Sequence, residues 1–192
     1  MQRVQRMANK AMKDYEMLQD GDRIMIGLSG GKDSLALVEV LAARQKIFKP
    51  KIEVVACHVS VENVPYQSDI EYLREFCESR GVKFVHKTTR FDEDTKDGRG
   101  PCFLCAWNRR KTLFKAAEEQ GCTKLALGHH KDDILETLLM NQIFQGAYAT
   151  MPPVLKMAKF DMTIIRPLAL VREAEIEALA AEHEYKKQIK NC

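Results

Sequence analysis

The sequence predicts an α/β domain, a doubly wound parallel sheet of about five strands with helices on both faces. Two observations carry this. Short apolar runs alternate with stretches of helical periodicity along the whole chain, and no internal repeat or low-complexity block interrupts them. The first apolar run also ends in a glycine turn that opens a helix, and ligands of such sheets bind there, beyond the carboxyl ends of the strands.

The first helix is expected over Gln2 to Leu18, where Val4, Ala8, Ala11, Tyr15 and Leu18 recur at steps of four and three and form one apolar stripe. Arg3, Arg6, Lys10 and Lys13 fall on the opposite face. Strands are expected at Arg23–Leu28, Ile52–Val59, Val82–His86, Lys124–Leu127 and Met162–Ile165. Between and after them the spacing predicts helices over Asp33–Gln45, Tyr66–Arg80, Ala106–Gln120, Asp132–Phe144 and Glu173–His183, two of them stopped by Gly81 and Gly121. Thr88 to Pro101 is charged and carries glycine, so it reads as an exposed loop. Residues 1–20 are read as an N-terminal basic amphipathic helix and 21–192 as the domain that carries the chemistry.

At 192 residues, with 45% hydrophobic side chains, the chain can bury a substantial core. A formal charge of +3 is too mild to argue for nucleic acid by itself, so local charge must carry that case. The start lacks the apolar run of a secretory signal and no stretch is long enough to span a membrane, which predicts a cytoplasmic protein. The six cysteines are then expected to be reduced thiols, and a close pair among them becomes a metal or redox candidate.

The first strand runs into Ser29-Gly30-Gly31-Lys32-Asp33-Ser34. Two glycines let backbone approach a phosphate, the helix start offers N–H donors and a positive dipole end, and Lys32 adds a full charge. The Ser29 and Ser34 hydroxyls can donate to phosphate oxygens. This is not a Walker A loop, because Ile26 stands where its first glycine belongs and Asp33 follows the lysine. A tight helix start with no ligand is the plainer alternative. Gly128-His129-His130-Lys131-Asp132-Asp133 repeats the arrangement after the fourth strand, with carboxylates suited to Mg²⁺ or, alternatively, Asp132 serving as N-cap and Asp133 sitting in the first turn.

Pro101-Cys102-Phe103-Leu104-Cys105 ends the long loop and opens a helix. Its spacing leaves three readings open: half a zinc site, a redox dithiol, or part of an iron–sulfur cluster. Cys192 is a third candidate ligand or a free thiol, while Cys57, Cys77 and Cys122 read as core residues.

The glycine turn resembles the Ser-Gly-Gly-x-Asp-Ser signature of the PP-loop ATP pyrophosphatases, which implies cleavage of ATP between the α and β phosphates. Together with Pro-Cys-x-x-Cys followed by Arg109-Arg110, the Gly-His-His-Lys-Asp-Asp turn, Met151-Pro152-Pro153, Ile165-Arg166-Pro167-Leu168 and Val171-Arg172-Glu173, the chain resembles the tRNA 2-thiocytidine synthetases in order along nearly its whole length. The resemblance implies ATP and Mg²⁺ at Ser29, Gly30, Gly31, Lys32, Asp33, Ser34 and His129. It also implies a [4Fe–4S] cluster on Cys102, Cys105 and Cys192, and catalytic roles for Lys32, Asp33, Arg109 and Asp133, with Arg110 the alternative to Arg109. The implied substrate is tRNA, thiolated at the cytidine of position 32 of the anticodon loop. A cysteine desulfurase or sulfide would supply sulfur, and a homodimer is one arrangement open to the chain. Phosphate contacts are expected from the basic face of the first helix, and the Met-Pro-Pro segment is expected to shape the base pocket.

That family usually carries a second C-x-x-C where this sequence stops at one cysteine, so a fragment with an incomplete site is also expected. Rival readings are another PP-loop tRNA-modifying enzyme, such as a lysidine or 2-thiouridine synthetase, and a nucleotide- or metal-binding module without catalysis.

Overall fold

A computed structural model describes residues 1–64, 68–91, 100–158 and 161–186. Its elements are α1 (Gln2–Asp14), β1 (Asp22–Gly27), α2 (Lys32–Gln45), β2 (Ile52–Val61), α3 (Ile70–Glu78), β3 (Lys83–Thr89), α4 (Pro101–Glu119), β4 (Lys124–Ala126), α5 (Lys131–Gln145), β5 (Val154–Lys156), β6 (Thr163–Ile165) and α6 (Glu173–Glu182). The strands form one six-stranded sheet in the order β3-β2-β1-β4-β6-β5. All pairings are parallel except β5 with β6. The expected α/β sheet is therefore present with one strand more than the sequence suggested. The addition is β5, a three-residue antiparallel edge strand whose Leu155 stays 38% exposed, so it shows no buried apolar run.

Alternate residues of each strand serve opposite faces. Ile24, Ile26, Val54 and Ala56 pack into a cluster with α1, α2, α3 and α6. Met25, Val55, Cys57 and Leu125 pack with Phe114, Ala116 and Ala117 of α4 on the other side. α2 lies between the sheet and α6, which is why Leu35 through Ala42 are all buried. Each large apolar side chain there contributes roughly 1.5–3 kcal/mol relative to exposure. Val4, Ala8 and Ala11 of α1 join the same core as the sheet. α1 ends at Asp14, earlier than the periodicity implied, and Tyr15 is 41% exposed.

Two other boundaries moved. α3 begins at Ile70 because the Asp69 carboxylate accepts from Tyr72 N at 3.1 Å as its N-cap; Tyr66 lies outside the described residues. α4 begins at Pro101, five residues before the expected start, because proline is well suited to a first helical position. This shift puts both Cys102 and Cys105 in the first two turns of the helix. α5 has no buried residue, and its Ile143 and Phe144 are 72% and 78% exposed. Among the described residues no helix is long and apolar enough to cross a membrane.

The chain adds β2 and β3 on one side of β1, then returns to place β4 on the other. The carboxyl ends of β1 and β4 thus flank the point where the winding reverses, where α/β sheets open a crevice.

Candidate active site at the carboxyl ends of β1 and β4

The loop from Leu28 to Lys32 holds itself in shape. Gly30 has φ +85°, a conformation that side-chain-bearing residues rarely adopt. Gly30 N donates to Ser34 Oγ at 3.1 Å, Ser34 Oγ donates to Gly31 O at 2.9 Å, and Gly31 N donates to Ser29 Oγ at 3.3 Å. Ser34 is buried, and in this arrangement its hydroxyl shapes the loop. Beneath it, His58 Nδ1 sits 2.7 Å from Leu28 O and ties the end of β1 to β2.

The turn after β4 touches this loop directly. A Cβ on Gly128 would lie 3.1 Å from Asp33 C and 3.2 Å from both Asp33 O and Ser34 N, so the absence of a side chain permits the approach. His130, not Asp132, is the N-cap of α5, in a reciprocal capping box. His130 N donates to Asp133 Oδ2 at 2.8 Å and Asp133 N donates to His130 Nδ1 at 3.4 Å. Asp132 Oδ2 accepts from Glu173 N at 2.7 Å, which seats the start of α6 beside the turn. His130 is only 4% exposed, with Asp33, Asp132 and Asp133 carboxylate oxygens 3.5–3.8 Å from its ring nitrogens.

Lys32 Nζ meets Glu173 Oε1 at 2.8 Å and Asp33 Oδ1 at 3.1 Å. Burial disfavours its charge, yet the attraction of the Glu173 and Asp33 carboxylates outweighs that and holds its pKa above the ordinary lysine value. Asp33 Oδ1 is sealed from solvent with an ammonium nearby but with no well-directed hydrogen bond. A buried acceptor left in this state suits a cation or a phosphate-bound donor. Next to the loop, a cavity of about 620 Å³ opens between Gly30, Gly31, Lys32 and the α6 residues Glu177, Ala180 and Ala181.

His129 faces Arg166, whose Nε donates to His129 Nδ1 at 3.3 Å. Burial, reinforced by the Arg166 and Arg110 charges and opposed by Asp133, keeps the His129 pKa below the usual imidazole value. The Arg166 guanidinium also donates to Pro152 O, and its backbone N to Pro153 O at 2.9 Å. The Met151-Pro152-Pro153 segment is thereby fastened to the end of β6.

Cys102 is exposed and Cys105 half-buried, three residues apart in the first two turns of α4. The first turn contains no acidic residue. The pair fits a thiolate-held metal group. Arg109 shares a small hollow with Cys105 and the end of β2, from His58 to Val61. Cys192 lies outside the described residues, and among the described residues no set of three or more metal-binding side chains assembles. Cys57 and Cys77 are core residues as expected, their thiols pushed up to about 12 by burial, and Cys122 is likewise buried.

The structure thus brings Ser29, Gly30, Gly31, Lys32, Asp33 and Ser34 beside Asp133 and His129. His130 and Glu173 were not assigned roles from the sequence. Histidine is an unusual N-cap, so only its place in the Gly-His-His turn could have pointed to it, and Glu173 becomes visible only when α6 folds back onto the loop.

The PP-loop domain family matches residues 1–188. The tRNA-cytidine(32) 2-sulfurtransferase of Stutzerimonas stutzeri (strain A1501) is 40% identical over 187 residues, which are 95% of this chain and 68% of that protein. The enzyme of the same name from Pseudomonas putida (strain GB-1) is 40% identical over 189 residues with the same coverage. Among solved structures, the U34-tRNA thiolase NcsA from Methanococcus maripaludis, which carries a [4Fe–4S] cluster, superposes with a TM-score of 0.79 at 31% identity, over 100% of this chain and 66% of that one. The NH3-dependent NAD synthetase of Campylobacter jejuni shares the fold at a TM-score of 0.56 and 14% identity, over 96% of this chain and 73% of that one. With the loop, the second turn and the cysteine pair in place, the chain belongs to the PP-loop family and groups within it with the tRNA-cytidine(32) 2-sulfurtransferases.

Proposed function

We propose that this chain is an ATP-dependent tRNA sulfurtransferase that converts the cytidine at position 32 to 2-thiocytidine. The single observation that carries the reading is the placing of Cys102 and Cys105 in the first two turns of α4, at the same end of the sheet as the Ser29–Ser34 loop, in a chain 40% identical to enzymes of that name.

The C2 carbonyl of cytosine has no leaving group at neutral pH. Its oxygen attacks the α-phosphorus of ATP, the bond to the β-phosphate breaks, and pyrophosphate departs. Gly30, Gly31 and Lys32 are the groups of this chain that would stabilise the departing charge, and Asp33 with Asp133 would hold a Mg²⁺, which would supply charge neutralisation. A sulfur nucleophile at the sulfide level then adds to C2, and AMP leaves with the original oxygen. Cys102 and Cys105 would hold two corners of a [4Fe–4S] cluster, with Cys192 as the third ligand, and the cluster would supply a soft metal site for sulfur. Arg109, beside Cys105, is the cation of this chain best placed to meet charge developing at the base. Sulfur comes from free sulfide directly, or from the persulfide of a cysteine desulfurase once a thiol reductant has released it as sulfide.

The test is anaerobic turnover of unmodified tRNA with ATP and sulfide, followed by nucleoside analysis. The expected products are 2-thiocytidine, AMP and pyrophosphate. Release of ADP would overturn the activation step, and 2-thiouridine would move the chain to the uridine thiolases.

A further inference from the structure

Ala117, Phe114, Arg110, Trp107 and Phe103 recur at three- and four-residue steps and share one side of α4. The C-terminal part of this stripe packs on the sheet: Ala117 and Phe114 are 0% and 4% exposed. Farther toward the helix start the same stripe leaves the core, and Trp107 and Phe103 are 46% and 48% exposed. In a parallel sheet, the helix that returns the chain between strands begins near the strand carboxyl ends. Leu113 Cδ2 lies 3.0 Å from where a Cβ on Gly27 would sit, and Arg109 lines a hollow with the end of β2. The exposed part of the stripe, nearer the helix start, therefore extends beyond the carboxyl ends of β1 and β2.

Within α4 the charged residues up to Ala117 are all basic. Arg109, Arg110, Lys111 and Lys115 follow the aromatic pair, and the first carboxylate of α4 is Glu118. Lys111 Nζ lies 5.0 Å from the centre of the Trp107 ring. By contrast, the basic face of α1 spends part of its charge internally, because Arg3 pairs with Glu175 and Lys10 with Asp14.

We propose that Phe103 and Trp107 form a stacking platform for unpaired bases of the RNA loop, with Arg110 and Lys111 on the flanking phosphates. Flat aromatic faces bordered by cations are the features that bind unpaired nucleotides, since every base has a π face and every phosphate a charge. A protein partner would have no need of the cations, and a duplex would offer no exposed base face. The platform rests on the sulfurtransferase reading for the identity of its RNA and explains how a base displaced from its neighbours is received beside the ATP site.

Trp107 is the only tryptophan of the chain, so its fluorescence reports on this surface alone. An anticodon stem-loop RNA is titrated into the full chain, with a blunt duplex of the same stem as comparison. The expected result is quenching by the stem-loop at concentrations at least about tenfold below those needed with the duplex. Trp107→Ala and Phe103→Ala should each raise the KM for tRNA by about tenfold and leave the KM for ATP unchanged, with Trp107→Phe restoring most of the loss. Equal quenching by loop and duplex, or a Trp107→Ala variant with the KM for tRNA of the parent, would overturn the platform. If the parent chain thiolates no tRNA, the functional reading fails, and the fluorescence comparison still decides whether loop bases stack here.

Discussion

The buried Arg166 guanidinium donates through Nε to His129 Nδ1 at 3.3 Å, which leaves the imidazole proton on Nε2. A neutral His129 is thus oriented with one N–H as donor, and the same arginine binds the carbonyl of Pro152. Lysine cannot span both partners, so Arg166→Lys should slow ATP cleavage by about tenfold or more, on the order of 1–3 kcal/mol, although charge is preserved. Single-turnover release of pyrophosphate measures this.

His129 also has a signature in stability. Its folded-state pKa lies below the ordinary value of 6.5, chiefly through burial and then through Arg166. Between the folded and unfolded pKa values the denatured chain binds more protons, so the contribution is fully present above pH 6.5 and is lost as pH falls toward the folded value. His129→Gln should therefore lose less thermal stability than the parent between about pH 7.5 and 5.5. Parallel melting curves at both pH values test the difference, and identical slopes would remove the assignment.

Gly128 supplies a steric test of the contact between the two turns. An added Cβ would press on the backbone of Asp33 and Ser34 at 3.1–3.2 Å, and backbone cannot rotate away as a long side chain can. Gly128→Ala should cost roughly 1–3 kcal/mol of stability and weaken ATP binding by about tenfold, both readable from melting with and without nucleotide.

Lys32 is held by Glu173, a half-exposed carboxylate lying where phosphate oxygen would compete for the same ammonium. Glu173→Gln keeps the shape and removes the competing charge. Nucleotide affinity should rise by about two- to fivefold, with stability changed by less than about 1 kcal/mol, because such exposed pairs contribute little to folding. Isothermal titration with a non-hydrolysable ATP analogue would show the opposite sign if Glu173 helps to hold the nucleotide.

The glycine loop and its neighbouring turn were legible in the sequence because each follows a short apolar run, and the order of those runs fixes which strand ends can meet. Gly30 and Gly128 are read from a pattern only glycine satisfies. Tertiary relations were not legible. That Glu173 folds onto Lys32 depends on α6 crossing back over α2, a contact between residues separated by 141 positions. β5 was missed because three half-exposed residues carry no periodic signal, and the early start of α4 because Pro101 was read as loop rather than as a first helical residue.

That early start changes what the cysteines can do, and the consequence is testable. In a loop, Cys102 and Cys105 would be free to adopt a redox disulfide; in the first two turns of α4 their spacing is fixed by the helix. Cys102→Ser and Cys105→Ser should each abolish stoichiometric iron after anaerobic reconstitution and lower thiolation by at least about a hundredfold, while leaving the melting temperature within a few degrees, since Cys102 is exposed and Cys105 sits half-buried at the edge of the small Val61, Phe91 and Leu104 cluster. Cys77→Ser should do the reverse. Its thiol is fully buried against α2 and the sheet, so a hydroxyl there costs on the order of 1–3 kcal/mol of stability yet leaves iron binding intact. Iron content, visible absorption and melting curves measured on the same three variants separate the roles. Retention of iron by Cys102→Ser would return the pair to the zinc or dithiol readings, and loss of iron from Cys77→Ser at a temperature where it remains folded would place a core cysteine in the metal site instead.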